Sequence, residues 1–106
     1  MKGLGLRSNG AGIHYDIPSS DYIDVYVLAS GVEEIATVPD AANIVLFGAT
    51  TDFYFRLNGT VILPIVDIVD GSGGELNPAI RIVDEAELLH LISPTTCTIT
   101  LSYYKY

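Results

Sequence analysis

The strict alternation of side-chain types in residues 96–104 constrains the fold of this chain more than any other feature. Cys97, Ile99, Leu101 and Tyr103 fall on one side of an extended backbone, and threonine, serine and tyrosine fall on the other. Successive side chains of a β-strand point to opposite faces, so a period of two residues predicts a strand with one buried face. We therefore predict a half-buried antiparallel strand here.

Short strand patterns recur along the chain at intervals of about eight to twelve residues, and no segment sustains a helical period. The strand at residues 43–48 is nearly all apolar, so it is expected to be buried on both faces. About eight strands without helices predict an all-β fold, an antiparallel β-sandwich, with the jelly roll as one form of it. The other predicted strands include residues 22–28, 32–38, 80–83 and 88–92.

Asn58 and Gly59 separate two strand patterns, at residues 52–57 and 60–63. Both residue types tolerate the positive φ angle that a type I′ turn requires, and such a pair between strands is the strongest local signal for a hairpin. We therefore predict a β-hairpin with a two-residue turn at this point. The glycine-rich stretch that follows, at residues 70–78, is predicted to be a loop.

A chain of 106 residues has room for one hydrophobic core, so one folded domain is expected. Residues 21–106 carry the predicted sandwich. Residues 1–20 are rich in glycine and are predicted to form an arm, irregular except for a short strand near residues 12–17. The first residues lack the apolar run of a signal peptide, so synthesis in the cytoplasm is expected.

Hydrophobic residues make up 49% of the chain and charged residues only 17%, against about a quarter in an average protein. Apolar surface is therefore expected to remain exposed after the core is filled, and such surface marks interfaces. A homo-oligomer, or docking onto a larger assembly, is the simplest consequence. The net charge of −8, with five dispersed cations, argues against binding to nucleic acid or to an anionic membrane.

Residues that could carry catalysis or hold a metal ion form no recognisable motif. His14 and His90 are not spaced as a ligand pair, and His90 is expected to be a surface or hydrogen-bonded histidine. Cys97 is the only cysteine and is expected to be a buried free thiol. The acidic loop at residues 67–75 could offer oxygen ligands to Ca²⁺, but its spacing favours a solvated turn. We expect no catalytic residue, no metal, no cofactor and no enzyme activity.

Tyrosine is the most abundant aromatic residue of the chain, with seven copies and no tryptophan. Tyrosine is enriched at interfaces because it combines apolar area with a hydroxyl group. Ordinary packing between strands, or stacking on sugars as in a carbohydrate-binding module, would also explain these residues. The candidate interface residues are Lys2, Arg7, Tyr22, Tyr26, Tyr54, Tyr103, Tyr104 and Tyr106.

Four segments of the C-terminal two-thirds together resemble small β-rich structural proteins of tailed bacteriophages, including capsid decoration (cement) proteins. The resemblance spans residues 37–106 and is one of pattern, without a motif for any reaction. The segments are ANIVLF at residues 42–47, DFYFR at 52–56, DGSGGELNP at 70–78 and CTITLSYY at 97–104.

This resemblance implies a non-catalytic virion protein that stabilises the shell by contacts between proteins. It implies a homo-oligomer, often a trimer, that binds the major capsid protein or other virion subunits and resides in the virion. Lys2 and Arg7 of the arm would then hold the shell while the acidic body faces outward. A tail, fibre or head-completion component is the near alternative, and a carbohydrate-binding module is the alternative from another class.

Overall fold

The computed structural model describes residues 1, 3, 7–9, 12–14 and 18–106. The described residues form ten β-strands and no helix. The strands are β1 (Arg7–Asn9), β2 (Gly12–His14), β3 (Ile23–Leu28), β4 (Glu34–Thr37), β5 (Ile44–Ala49), β6 (Tyr54–Leu57), β7 (Glu75–Leu76), β8 (Ile80–Ile82), β9 (Leu88–Ile92) and β10 (Cys97–Tyr104).

Eight of these strands form two antiparallel sheets of four. The first sheet has the order β3-β10-β5-β8, and the second has the order β4-β9-β6-β7. The chain crosses repeatedly from one sheet to the other, so that the last strand lies between the first and third strands of the sandwich. This order is that of a jelly roll, which is built from two Greek keys. The predicted all-β sandwich is confirmed.

The core lies between the two sheets and is built on the alternation of β10. Cys97, Ile99, Leu101 and Tyr103 are all buried on its inner side, as the sequence pattern predicts, and Cys97 is a free thiol. They belong to one apolar cluster with buried side chains of the second sheet. Those side chains include Ala36, Phe55, Leu89 and Leu91.

The predicted hairpin at Asn58 and Gly59 is wrong. Tyr54–Leu57 pairs with Leu88–Ile92 on one side and with Glu75–Leu76 on the other, and residues 60–63 are not a strand. Asn58 has the positive φ of 55° that the sequence favours, but its backbone N–H donates to the carbonyl of Leu88. β6 therefore pairs with two strands that are distant in sequence, β7 and β9, and not with residues 60–63. After β6 the chain crosses the outer face of this sheet.

Two further expectations need correction in part. Of the strand at Ile44–Ala49, Ile44 and Val45 are buried while Gly48 and Ala49 are exposed, so the strand is not buried on both faces along its whole length. The loop expected at residues 70–78 contains the two-residue strand β7. The strand expected near residues 12–17 is Gly12–His14, which pairs with Arg7–Asn9, and residues 15–17 lie outside the described part of the chain.

An ion pair joins the two sheets at the edge formed by β7 and β8. Arg81 lies opposite the buried Val45 and Glu75 lies opposite the buried Phe55, so both side chains start on the inner side of their sheets. The guanidinium of Arg81 donates to both carboxylate oxygens of Glu75, with Nε 2.9 Å from Oε2. These hydrogen bonds hold the pKa of Glu75 below its usual value.

Two substitutions of Asn58 separate its backbone role from its side-chain role. The amide oxygen accepts the Leu88 N–H (2.8 Å), and the amide nitrogen donates to Glu87 (2.7 Å). Asn58→Gly loses these bonds but suits the positive φ, whereas Asn58→Ala loses the bonds and strains the backbone. Urea unfolding should show losses of about 1 kcal/mol for Asn58→Gly and about 2 kcal/mol for Asn58→Ala. Equal losses would contradict a role for the backbone angle.

Candidate functional site

The outer face of the second sheet is covered by the chain itself. After β6, residues 60–64, here called the covering segment, cross this face toward the start of β4. Val61 is only 1% exposed, and its backbone N–H donates to Oε2 of Glu33 at 2.7 Å. A Cβ at Gly74 would lie 2.8 Å from Cγ2 of Val61, so the chain can pass this close to the covering segment only because residue 74 is glycine. This face therefore offers little apolar surface to a partner at its centre.

His90 lies beneath the covering segment and shares the carboxylate that holds it. It is 7% exposed, and its Nδ1 lies 3.2 Å from Oε2 of Glu33. The adjacent residues Leu89 and Leu91 point into the core, so His90 faces outward from the sheet, as the period of two residues predicts. The expectation of a hydrogen-bonded histidine is confirmed, and its place under a crossing segment explains its burial.

The outer face of the first sheet, by contrast, is open over most of its length. At one end, Ile44 and Tyr104 lie on the same outer side but are buried, and the Tyr104 hydroxyl contacts Pro18. Apolar side chains of both edge strands stand exposed on the rest of this face, with Val27 67% and Ile82 71% accessible. The register places the outward residues of the four strands in rows across the sheet. This surface, here called the open face, consists of Ile23, Val25, Val27, Leu46, Gly48, Ile80, Ile82, Thr98, Thr100 and Ser102.

No residue of the open face carries a charge, although the chain as a whole has a net charge of −8. The charged residues of the same four strands are Asp24 and Arg81. Asp24 lies opposite Leu101, and Arg81 lies opposite Val45, so both belong to the inner side of the sheet. Burying the open face against a partner therefore costs no desolvation of a charged group.

The size of the open face suits an interaction site. Three strands about 4.8 Å apart, paired over six residues of about 3.3 Å each, and the three-residue β8 beside them span about 330 Å². The largest apolar patch on a typical monomer is about 300–600 Å², and such patches are often functional. The face is a continuous sheet surface of aliphatic, hydroxyl and glycine residues, so it fits the surface of a macromolecule better than a small molecule.

A second group of exposed apolar side chains lies in the long connection from β6 to β7. Ile65 is 92% exposed, and Val66 and Val69 are exposed as well. In the same connection Asp70 accepts hydrogen bonds from the backbone and hydroxyl of Ser72, and these bonds lower the pKa of Asp70. In the acidic loop, Asp70 is therefore already hydrogen-bonded to Ser72 of the same loop. Among the described residues no group of three or more histidine, cysteine or carboxylate side chains is placed to hold a metal ion.

The structure does not bring the predicted interface residues together. Lys2 lies outside the described residues, and Arg7 is described only as part of the backbone of β1. Tyr26 and Tyr103 belong to the inner side of the first sheet, and Tyr54 lies on the second sheet. Exposure also differs among the tyrosines: Tyr22 and Tyr106 are exposed, Tyr26 and Tyr54 are half-buried, and Tyr103 and Tyr104 are buried.

Sequence reasoning missed the open face. Ile23, Val25 and Val27 alternate with Asp24 and Tyr26 in the sequence, but period-two alternation does not say which side of a strand meets the core. In the structure the side with Asp24 and Tyr26 turns inward, at the edge of the sandwich. One sequence signal could have indicated the face: the outward residues of β10 are threonine and serine, and those of its neighbour β5 are uncharged as well.

Two neighbouring tyrosines on β10 differ in what their hydroxyl groups contact. The Tyr103 hydroxyl is buried and has no hydrogen-bond partner among the described residues, and burial raises its pKa. The Tyr104 hydroxyl donates to the carbonyl of Pro18 at 2.5 Å. An unsatisfied buried hydroxyl destabilises a fold, whereas a satisfied one contributes to stability. Tyr103 therefore stabilises the core through its ring, which packs edge-to-face on Tyr22 with centroids 5.8 Å apart.

This difference predicts opposite effects of the same substitution at adjacent positions. Tyr103→Phe should raise the free energy of unfolding by about 1 kcal/mol, because it removes an unpaired buried hydroxyl. Tyr104→Phe should lower it by about 1 kcal/mol, because it leaves the Pro18 carbonyl without its donor. Chemical denaturation of the two variants tests this pair. Destabilisation of both to the same extent would show that the Tyr103 hydroxyl has a partner in solution.

Glu33 is predicted to control whether the covering segment stays in place. Glu33→Ala removes the acceptor of the Val61 N–H and the partner of His90, and should cost about 2 kcal/mol of stability. Glu33→Gln retains an oxygen acceptor and should cost about half as much. Hydrogen exchange at the Val61 amide should accelerate in Glu33→Ala more than at the amides of β10. Unchanged protection of Val61 in Glu33→Ala would refute this role.

No helix in the described part of the chain is long and apolar enough to cross a bilayer. No protein-family model, no curated protein and no solved structure matches the chain. The resemblance to virion proteins stays a prediction, and the open face is the feature on which a functional proposal rests.

Proposed function

We propose that this chain is a non-catalytic structural protein that binds another protein surface through its open face. The observation that carries the proposal is an uncharged, largely apolar sheet face on a chain of net charge −8. Exposed apolar area on this scale is costly to keep in water, and its burial is the main favourable term in protein association. The second sheet supports this assignment. Its outer face is covered by residues 60–64 of the chain itself, whereas the outer face of the first sheet has no such cover over the open face.

The resemblance of residues 37–106 gives this proposal its specific form, a capsid decoration protein of a bacteriophage virion. A jelly roll is compatible with that role, since the architecture occurs in viral capsid proteins. It also occurs in lectins and cupins, so the fold alone does not select the role. A tail, fibre or head-completion component would use the same kind of surface. The trimer and the binding of the major capsid protein remain predictions from the resemblance.

The alternative of a sugar-binding module receives less support from the placement of aromatic residues. Stacking on a sugar requires an exposed aromatic face. The open face contains no aromatic residue, and the described tyrosines lie on both sheets and on both sides of the first one. Rows of valine, isoleucine and threonine match the surfaces that pack between protein sheets.

Association with virus-like particles tests the proposal. In particles purified from the native source, we expect the chain in a fixed ratio to the major shell protein, measured by quantitative mass spectrometry. Val25→Glu places a charge in the open face at an exposed position and should reduce particle-bound protein by at least about tenfold, since burying an unpaired charge costs several kcal/mol.

Thr37→Glu is the matched control, because it adds the same charge at an exposed position of the second sheet. It should bind particles as the wild-type chain does. Both variants should retain the circular dichroism and the unfolding midpoint of the wild type. Absence of the wild-type chain from particles would refute the virion role, and full binding by Val25→Glu would refute the role of the open face.

A further inference from the structure

We propose that the partner of the open face is the open face of a second copy of this chain, so that two sandwiches stack about a two-fold axis. This inference rests on the proposed function in one respect, that the open face is a protein-binding surface. It adds a second copy as the partner of the free protein in solution, in competition with any particle surface that binds the same face, and it adds the symmetry of that contact.

Charge is the first argument for a second copy. Two chains of net charge −8 repel each other wherever their carboxylates come close. The open face is a surface of ten residues on which none is charged, so two copies can meet there without opposing like charges. A basic partner, which the acidity of the chain would attract, would find no carboxylate on this face to pair with. The face therefore selects an uncharged apolar partner, and an identical face has that chemistry.

The relief of the face is the second argument. Its larger side chains stand on the two edge strands, as Ile23, Val25 and Val27 on β3 and as Ile80 and Ile82 on β8. The central strands present mostly small residues, including Thr98, Thr100, Ser102 and Gly48. A raised row of one copy can lie in the lower strip of the other. A two-fold axis then repeats the same contact in reverse, as an isologous dimer requires.

The extent of the face sets the expected strength of the contact. About 330 Å² per copy is roughly two-fifths of the 800 Å² per partner that a stable complex of standard size buries. The dimer is therefore expected to be reversible and to dissociate on dilution through roughly the micromolar range. Its association should become stronger as salt screens the repulsion between the two acidic bodies.

Gly48 provides a variant that blocks the stack without disturbing the protomer. A Cβ built at Gly48 meets nothing within 4 Å, and the residue is not among those with positive φ. Gly48→Lys therefore fits the folded protomer and fills the lower strip of the open face. It also changes the net charge from −8 to −7, so general repulsion between copies decreases. Any loss of association must then come from the face itself.

The experiment is sedimentation equilibrium over a concentration series for the wild type, Gly48→Lys and Thr37→Lys. Thr37→Lys makes the same change of charge at an exposed position of the second sheet. We expect a monomer–dimer equilibrium for the wild type and for Thr37→Lys, and a dissociation constant at least about tenfold higher for Gly48→Lys. Circular dichroism should show the same fold and unfolding midpoint for all three proteins.

The outcomes that overturn the inference can be told apart from those that overturn the proposed function. A wild-type chain that stays monomeric, while Gly48→Lys loses particle binding, refutes the second copy and leaves the open face as a binding surface. A wild-type trimer refutes the two-fold stack. A dimer unaffected by Gly48→Lys refutes the stack, whereas particle binding by Gly48→Lys at the wild-type level refutes the open face as a particle-binding surface.

Discussion

The packing of β10 between its neighbours and over the second sheet is the constraint on which the rest of the fold depends. Its backbone bonds to β3 on one side and to β5 on the other, so six residues of each neighbour are placed by one strand. Its inner side chains are almost completely inaccessible to water. Close-packed interiors tolerate little change in volume, so the position of this strand determines both the register of the first sheet and the spacing of the second.

The sequence predicts those parts of the fold in which the pattern and the tertiary environment agree. Leu88–Ile92 and Cys97–Tyr104 are both recognisable from their own residues, because the first is a largely apolar run that stops before Pro94 and the second alternates. Asn58 shows the opposite case. Its local chemistry favours a turn, and it does adopt a left-handed angle, but β6 finds two partners distant in sequence. Ladders between distant segments leave no local signal, so turn chemistry alone misassigned the partner of β6.

The candidate site was less predictable than the fold for a related reason. An excess of apolar residues in the composition indicated that some surface would remain exposed, without indicating where. Tyrosines were the natural candidates, but Tyr103 lies in the core, and its neighbour Tyr104 bonds to Pro18. The exposed apolar rows lie on the edge strands β3 and β8. On β3 the inner side carries Asp24 and Tyr26, so the apolar residues of that strand face outward. Only the three-dimensional arrangement of the two sheets decides which row meets water.

The covering segment has a consequence for how many subunits can associate. A sandwich with two open outer faces would add copies on both sides, and stacks of such units grow into filaments without a natural end. Here residues 60–64 cross one of the two faces, held to Glu33 through the backbone of Val61. One protomer therefore has a single side on which a sheet can stack. In the proposed stack, growth by this contact would therefore stop after one addition, because the connection between β6 and β7 covers the other outer face.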